Sequence, residues 1–156
     1  MTAHAQLCTF TVDDLLFGIE VIQVQEVILY QQMTRVPLAP HMVHGLINLR
    51  GQIVTAIDLR ACLALPGRPS DVLPMNVVVR GAEGSVSLLV DTIGDVIEVS
   101  SDTFEAPPPT MDPAHRDVVD AVCKLPGQLL LILDPERAVA LASASTGRSR
   151  VRGLMH

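Results

Sequence analysis

The stretch from Gly45 to Arg60, G-L-I-N-L-R-G-Q-I-V-T-A-I-D-L-R, decides the fold of this chain. Apolar residues occupy nearly every position on both sides of Arg50-Gly51, which is typical of two strands joined by a tight turn. Because the strands are apolar on both faces, the sequence predicts a hairpin that is buried on two sides. Asp58 precedes L-R-A-C-L-A-L, where its carboxylate can cap a short helix.

The same unit occurs a second time in the chain. R-G-Q-I-V-T-A-I-D-L-R-A-C-L-A-L, which begins at Arg50, resembles P-G-Q-L-L-L-I-L-D-P-E-R-A-V-A-L, which begins 76 residues later at Pro126. Upstream, V-Q-E-V-I (Val24–Ile28) matches I-G-D-V-I (Ile93–Ile97) at an offset of 69 residues, and a proline-rich connector at 106–113 accounts for the longer spacing. Two copies of a hairpin-rich unit predict a pseudo-symmetric pair of small β-barrels.

Composition and charge limit the classes to which the protein can belong. The 156 residues are 49% hydrophobic and only 18% charged, which indicates an apolar patch that stays exposed for a partner. A net charge of −6 and the absence of Trp argue against binding to nucleic acid or to anionic membranes. Cys8, Cys62 and Cys123 lack C-x-x-C spacing and indicate free thiols. Without a signal peptide or an apolar span, we expect a cytoplasmic protein with no membrane insertion.

The pattern of apolar and turn residues predicts a mainly β chain with a few short helices. Besides the central hairpin, the predicted strands are Gln6–Val12, Leu15–Ile19, Val24–Tyr30, Val77–Arg80, Ser85–Val90, Ile93–Val99, Val118–Leu125 and Gln128–Leu133. We expect a helical turn at 41–45 and a helix from Asp134. The predicted organisation is one domain, 1–142, with two barrel halves at roughly 1–66 and 74–142 that could exchange strands. A disordered basic tail is expected at 143–156.

Two candidate sites for chemistry have structural interpretations that we favour. His41 and His44 have a spacing that zinc ligands use, but no Cys or carboxylate completes the set, so we predict a surface pair and neither metal nor cofactor. L-V-D-T-I-G-D, at Leu89–Asp95, resembles the Asp-Thr-Gly signature of retroviral-type aspartic proteases, which would make Asp91 the catalytic carboxylate of a hydrolase. Here one residue separates the Thr from the Gly, so we interpret Asp91 as a turn former.

Glu26 and Arg50 are a third candidate, with Asn48 nearby. Glu26 lies between Val24 and Ile28 in a predicted strand, and a carboxylate among apolar neighbours either faces water or meets a cation. The alternatives are therefore two independent surface residues or an ion pair. We predict the ion pair.

The Gly45–Arg60 stretch closely resembles the hallmark G-x-x-N-L-R-G-x-I-x-P-x-x-D-L-R of the CheW family of bacterial chemotaxis coupling proteins. The resemblance extends over Val24–Ile28, Arg35–Pro40, Leu88–Val96 and Leu129–Asp134, and so covers about residues 6 to 142. It implies two five-stranded SH3-like barrels around a shared core and no enzymatic activity. It also implies a scaffold that joins the cytoplasmic tip of chemoreceptors to the regulatory domain of the histidine kinase CheA. A non-flagellar pathway, such as surface motility or biofilm control, is the alternative setting.

The resemblance further implies a receptor-binding groove, whose residues carry over to Val24, Glu26, Ile28, Asn48, Arg50, Met75, Ile93 and Val96. The kinase would bind elsewhere, at exposed ends of the barrels, for which the loop at Gly67–Asp71 is a candidate. Two residues depart from the family pattern, since Thr55 replaces a proline and Ser87 replaces a glycine. We expect Thr55 to alter the hairpin only slightly and Ser87 to place a hydroxyl where backbones pack closely.

Overall fold

The structure is a computed structural model that describes residues 4–82 and 84–142. Its strands are β1 (His4–Val12), β2 (Leu15–Glu20), β3 (Val24–Ile28), β4 (Val43–Leu49), β5 (Gln52–Asp58), β6 (Met75–Gly81), β7 (Gly84–Val90), β8 (Thr92–Ser100), β9 (Phe104–Glu105), β10 (Val119–Leu125) and β11 (Gln128–Leu133). The helices are α1 (Leu59–Cys62), α2 (Pro113–Arg116) and α3, which covers residues 135–142, with short 3-10 turns at Val21–Gln23 and Ser101–Thr103. The mainly β prediction is confirmed, and the predicted tail at 143–156 lies outside the described residues.

The strands form two sheets that close into barrels. Barrel B has the expected five strands, in the order β3-β6-β7-β5-β4, whereas barrel A has a sixth, the two-residue β9, in the order β8-β1-β2-β11-β10-β9. In barrel A the two edge strands, β8 and β9, follow one another along the chain. In barrel B, Thr34 follows β3 and exchanges two backbone hydrogen bonds of 2.8 Å with Leu46 of β4. Because the chain at one edge continues to the opposite edge, each sheet closes on itself as the predicted SH3-like barrels require.

The barrels are built by an exchange between two sequence repeats. β5 pairs in parallel with β7, and β11 pairs in parallel with β2, so the matching units of the sequence occupy equivalent places in different barrels. Barrel B contains strands from residues 24–90, whereas barrel A combines residues 4–20 with residues 92–133. Each repeat therefore gives its first hairpin, β1–β2 or β6–β7, to the barrel of the other. For this reason a boundary at 66–74 separates the repeats but not the barrels.

The hairpin β4–β5 has the turn that the sequence predicts. Arg50 and Gly51 have φ angles of 53° and 86°, and positive φ at both central residues is typical of a type I′ turn. Burial on both faces is only partly correct, because Val54 is buried but Ile53 is 62% exposed. Ile53 lines a surface concavity on the outer face of the hairpin instead of the core.

The main hydrophobic core lies between the barrels. Phe10 and Phe17 of barrel A and Leu88 of barrel B are fully buried in this shared core, and the two phenylalanine rings stack with their centroids 5.7 Å apart. A smaller cluster around Leu7 and Leu130 fills the inside of barrel A. Since both barrels contribute to the shared core, neither can bury its apolar outer face alone.

Several local predictions differ from the structure. The expected helical turn at 41–45 is wrong, because β4 already begins at Val43 and pairing with β5 outweighs the weak local preference. The strand expected to reach Tyr30 ends at Ile28. The end of the proline-rich connector forms a short helix that was not predicted: α2 begins at Pro113, and the Asp112 side chain caps it by accepting the Ala114 N–H at 2.9 Å.

The two departures from the family pattern fit without distortion. Ser87 is fully buried, and its hydroxyl donates to Asn76 Oδ1 at 2.8 Å. The Asn76 amide in turn donates to the carbonyl of Leu29 at 3.1 Å, so the polar groups in this barrel interior are satisfied. Thr55 pairs regularly with strands on both sides. Among the described residues, no helix is long and apolar enough to cross a membrane.

Candidate partner-binding site

Apolar side chains from both barrels pack against the shared core. Val24 of β3, Met75 of β6 and Ile93 of β8 are partly buried and pack against it. Val96 of β8 lies further out and is 59% exposed. Three of the residues implied by the family resemblance therefore border the shared core.

A β-bulge in β3 decides which of its side chains face this border. Val24 lies opposite Val79 of β6. Two residues later, Glu26 lies opposite Val78, so Gln25 is the extra residue of the bulge. The regular alternation of a strand is therefore reversed after Gln25.

The bulge brings Val27, and not Ile28, to the shared-core face of β3. Directly opposed residues of antiparallel strands point to the same face. Val27 lies opposite Val77, which belongs to the shared core, whereas Ile28 lies opposite Asn76 on the face that points into barrel B. Ile28 is therefore separated from Val24, and Val27, 38% exposed, takes its place.

Strand β8 repeats this arrangement in barrel A. A register shift between β1 and β8 places Ile93 opposite Phe10 and Val96 opposite Cys8. Ile93 and Val96 consequently share the core face of β8, at the same spacing as the equivalent pair in β3. We call the combined surface the apolar strip, and its members are Val24, Val27, Met75, Ile93 and Val96.

Glu26 and Arg50 form the ion pair that the sequence predicts. Arg50 Nη1 and Nη2 donate to Glu26 Oε2 and Oε1 at 2.6 and 2.7 Å, a two-pronged contact with the carboxylate. These hydrogen bonds lower the pKa of Glu26 below its usual range and raise the pKa of Arg50. Because β3 and β4 are the two edges of the barrel B sheet, the pair ties the hairpin tip to the opposite edge.

Asn48 supports this contact and does not belong to the apolar strip. Its side-chain oxygen accepts the Gly51 N–H at 2.9 Å, which stabilises the turn that carries Arg50. The Arg50 side chain remains 71% exposed, whereas that of Glu26 is 18% exposed. The arrangement therefore presents a fixed, accessible guanidinium on barrel B.

A second constellation, which the sequence did not predict, surrounds Asp91 between β7 and β8. Its carboxylate accepts hydrogen bonds from Arg60 Nη2 at 2.6 Å and Nε at 3.1 Å, and from Arg68 Nε at 2.9 Å. The Asp13 backbone N–H donates a fourth, at 2.7 Å. Burial alone would raise the pKa of Asp91, but the hydrogen bonds from Arg60, from Asp13 and from Arg68 outweigh it and lower this pKa to about 2.

Asp91 therefore does not resemble the carboxylate of an aspartic protease. Such enzymes share one proton between two carboxyl groups, whereas all four hydrogen bonds to Asp91 come from N–H donors. A carboxylate with a pKa of about 2 holds no proton at neutral pH. In the sequence, only Arg68 could have indicated that Asp91 has cationic partners, because it is the one charged residue of the connector segment L-P-G-R-P.

Comparisons with known proteins identify the family to which the chain belongs. Residues 6–143, most of the chain, match the family of CheW-like domains. The chain belongs to the CheW-like family. Chemotaxis protein CheW of Bacillus subtilis is 30% identical over 129 residues, which are 83% of this chain and 83% of the relative. Chemotaxis protein CheW of Klebsiella aerogenes is 27% identical over 139 residues, 89% of this chain and 84% of the relative.

A solved CheW structure has the same fold. The scaffolding protein TtCheW from Thermoanaerobacter tengcongensis superimposes with a TM-score of 0.77 and 26% sequence identity. The match covers 87% of this chain and 92% of that protein, so the similarity includes both barrels.

This CheW-like chain also has a separate apolar patch at one end of barrel B. Leu29 and Tyr30, just after β3, are 71% and 40% exposed, and Val72 and Leu73, just before β6, are 41% and 60% exposed. The antiparallel pairing of β3 with β6 brings both segments to the same end of the barrel. We call these four residues the end patch, which lies next to the loop at Gly67–Asp71.

The histidines belong to neither surface. His41 is exposed in a turn, and His44 is half-buried in β4. Within residues 4–82 and 84–142, no three side chains of His, Cys, Asp or Glu are grouped as a metal site would need.

Proposed function

We propose that this protein is a non-enzymatic adaptor that couples chemoreceptors to the histidine kinase CheA in chemotaxis signal transduction. It would act in the cytoplasm and associate with membrane receptor arrays only through its partners. The support is the family, whose relatives are named chemotaxis protein CheW and scaffolding protein. The observation that carries the proposal is the apolar strip, with the Glu26–Arg50 pair at the same edge of barrel B but on the other face of β3.

The receptor tip is the proposed occupant of the strip. A chemoreceptor tip is a helical hairpin, and an exposed apolar surface can accept the apolar face of a helix. Val27 and Val96 provide exposed apolar surface, while Val24, Met75 and Ile93 form a floor against the shared core. Arg50 offers an exposed hydrogen-bond donor on barrel B, and such a charge sets the orientation of a partner more than its affinity.

Replacing Val96 by Asp tests this proposal. An unpaired carboxylate buried at the receptor contact should weaken binding of a receptor-tip fragment by at least about tenfold. Since Val96 is already 59% exposed, the thermal unfolding transition should change little. Ile53→Asp is the matched control, because Ile53 is equally exposed (62%) but lies outside the strip. Calorimetric titration in which both variants bind like the wild type would refute the strip as receptor site.

We propose the end patch as the kinase contact. It lies beside the Gly67–Asp71 loop that the family resemblance suggests, and its four apolar residues are otherwise costly to leave in water. Leu73→Asp should weaken binding of the CheA regulatory domain and leave receptor binding unchanged. Val96→Asp should weaken receptor binding and leave binding of the CheA regulatory domain unchanged. Loss of both activities in one folded variant would show that the surfaces are not separate.

The same surfaces would serve a flagellar or a non-flagellar pathway. Co-purification with CheA homologues and receptor tips encoded in the same genome would distinguish them. A proteolysis assay that compares the wild type with Asp91→Asn tests the absence of hydrolase activity, and activity that this substitution abolishes would contradict it.

A further inference from the structure

The described chain crosses from one barrel to the other at two places. The first is the 3-10 turn Val21–Gln23, between β2 and β3, and the second is the single residue Asp91, between β7 and β8. The 69-residue offset of the repeat makes Ile22 the equivalent of Asp91. Ile22 is 79% exposed, and its crossing is held by Arg80 Nη1, which donates to the carbonyls of Ile22 and Val24 at 3.1 Å each. Of the two crossings, only the second is anchored through a side chain of its own, that of Asp91, which is mostly buried.

We propose that Arg60 and Arg68 clamp Asp91 so that the second crossing is fixed and the two halves of the apolar strip keep their spacing. Asp91 directly follows Val90, which pairs with Met75 in barrel B. It precedes Ile93 in barrel A by two residues. A displacement of the Asp91 backbone would therefore move strip residues of both barrels. This inference rests on the proposed receptor-binding function.

The clamp draws together segments that are otherwise distant. Asp13 belongs to the turn between β1 and β2 in barrel A, whereas Arg60 belongs to α1 beside barrel B. Arg60 Nη1 also donates to the carbonyl of Pro66 at 3.0 Å, which holds the start of the connector. Because Asp91 and Arg60 are each 10% exposed, solvent and salt screen their contact little.

Arg68 is the positioning residue of this clamp. Its Nε donates to Asp91 and its Nη2 contacts Asp58 Oδ1 at 3.4 Å, while its side chain is only 7% exposed. The other residues of 66–70 are exposed, so this connector contributes little to the core except through Arg68. Removing the guanidinium should therefore loosen the crossing without removing apolar packing.

Arg68→Ala in the full chain is the test. We expect binding of a receptor-tip fragment, followed by calorimetry, to weaken by about fivefold or more. Hydrogen exchange at residues 91–94, where the Asp91 N–H donates to the Thr11 carbonyl at 2.9 Å, should accelerate by about tenfold or more. Exchange in β10 and β11 should stay unchanged. Arg68→Lys keeps the positive charge but not the planar guanidinium with its several donors. Its receptor affinity and its exchange at 91–94 should lie between those of the wild type and Arg68→Ala.

Arg137→Ala is the matched control. Arg137 also contacts two carboxylates, Asp120 and Asp134, at 3.4 and 3.5 Å, but from α3 and on the surface. This variant should change neither receptor binding nor exchange at 91–94.

Two results would overturn the clamp. One is a folded Arg68→Ala protein with wild-type receptor affinity and wild-type exchange at 91–94. The other is exchange that accelerates equally throughout the chain, since this would show a general loss of stability. If Arg68→Ala does not fold, Arg68→Lys carries the same comparison. A wild-type protein that does not bind the fragment would instead contradict the proposed function, and local exchange would still decide whether the clamp exists.

Discussion

Arg50 combines a fixed position with an accessible surface. Two hydrogen bonds to Glu26 hold its guanidinium, yet 71% of the side chain faces solvent. Exposed ion pairs contribute little to folding because water and salt screen them. The pair is thus better suited to orienting a partner than to stabilising the barrel.

Replacing Arg50 by Ala should accordingly affect binding more than folding. We expect receptor-fragment affinity to fall severalfold, while the midpoint of thermal unfolding moves by no more than about 3 °C. Lys124→Ala is a suitable control, because Lys124 makes an exposed contact to Glu105 at 3.6 Å on barrel A. The charge exchange Glu26→Arg with Arg50→Glu should restore the thermal midpoint but not the affinity. A large loss of thermal stability in Arg50→Ala would contradict the expectation that the Glu26–Arg50 pair contributes more to binding than to folding.

Asp91 should make a contribution to stability that depends on pH. Its pKa of about 2 in the folded protein lies below the value of about 3.9 for an unfolded Asp. The stabilisation is therefore complete above about pH 4 and is lost as the pH falls towards 2. Asp13, Asp58, Arg60 and Arg68 are the charged groups that face it, and the two arginines stay protonated throughout.

Urea unfolding of the wild type and of Asp91→Asn measures this contribution. We expect Asp91→Asn to lower the free energy of unfolding by about 2 to 3 kcal/mol at pH 7. The difference between the two proteins should be constant from pH 7 to 5 and shrink below pH 4. A difference that grows on acidification would show that Asp91 is not ionised in the native state.

The Glu26–Arg50 contact and the contacts of Asp91 differ in how far the sequence alone predicts them. The Glu26 contact could be proposed because a carboxylate between two apolar neighbours either faces water or meets a cation, and Arg50 lies at the tip of the nearest hairpin. The contacts of Asp91 could not be predicted, because its partners Arg60 and Arg68 lie 31 and 23 residues away. Burial of such contacts depends on tertiary packing that no local pattern encodes.

At the scale of elements, the β-bulge in β3 places Ile28 apart from the other apolar residues that the family resemblance implies. Alternation along V-Q-E-V-I places Val24 and Ile28 on the same face, which is correct for a regular strand. The extra residue, Gln25, reverses the order and exposes Val27 in place of Ile28. A bulge is set by pairing with the neighbouring strand, so the sequence of β3 alone does not determine it.

The turn between β4 and β5 could be predicted from the sequence because its second central residue has a positive φ angle, which favours glycine. Gly51 has a φ of 86°, and a Cβ added there would meet no atom within 4 Å. Gly51→Ala should therefore cost about 1 to 2 kcal/mol of stability through backbone strain alone. Gly67→Ala is the control, since Gly67 is equally open and does not have a left-handed φ. Equal unfolding midpoints in urea for the two variants would contradict a strained turn.

At the scale of the whole molecule, the repeat predicted two barrels but not which strands each contains. Matches between β5 and β11, and between β3 and β8, were visible because these strands carry the hairpin and bulge motifs. The first hairpins, β1–β2 and β6–β7, show no such match, and their exchange follows from long-range pairing. The shared core requires this arrangement, since it is built from both repeats.

The exchange leads to a prediction about fragments. A chain divided between Ser70 and Asp71, both exposed, leaves every strand intact. Yet the fragment 1–70 lacks β6 and β7, the central strands of barrel B, and the fragment 71–156 lacks β1 and β2 of barrel A. Each fragment would also leave its side of the shared core in water.

We therefore expect neither fragment to unfold cooperatively alone, and an equimolar mixture to recover a single cooperative transition. Circular dichroism during thermal unfolding, with the intact chain as reference, measures both outcomes. Arg68 and Asp91 lie on different fragments, so Arg68→Ala in the fragment 1–70 should lower the affinity of the two fragments for each other. Arg35→Ala in the same fragment, which removes an exposed arginine, should not. A fragment 1–70 that folds cooperatively by itself would show that barrel B does not depend on the second repeat.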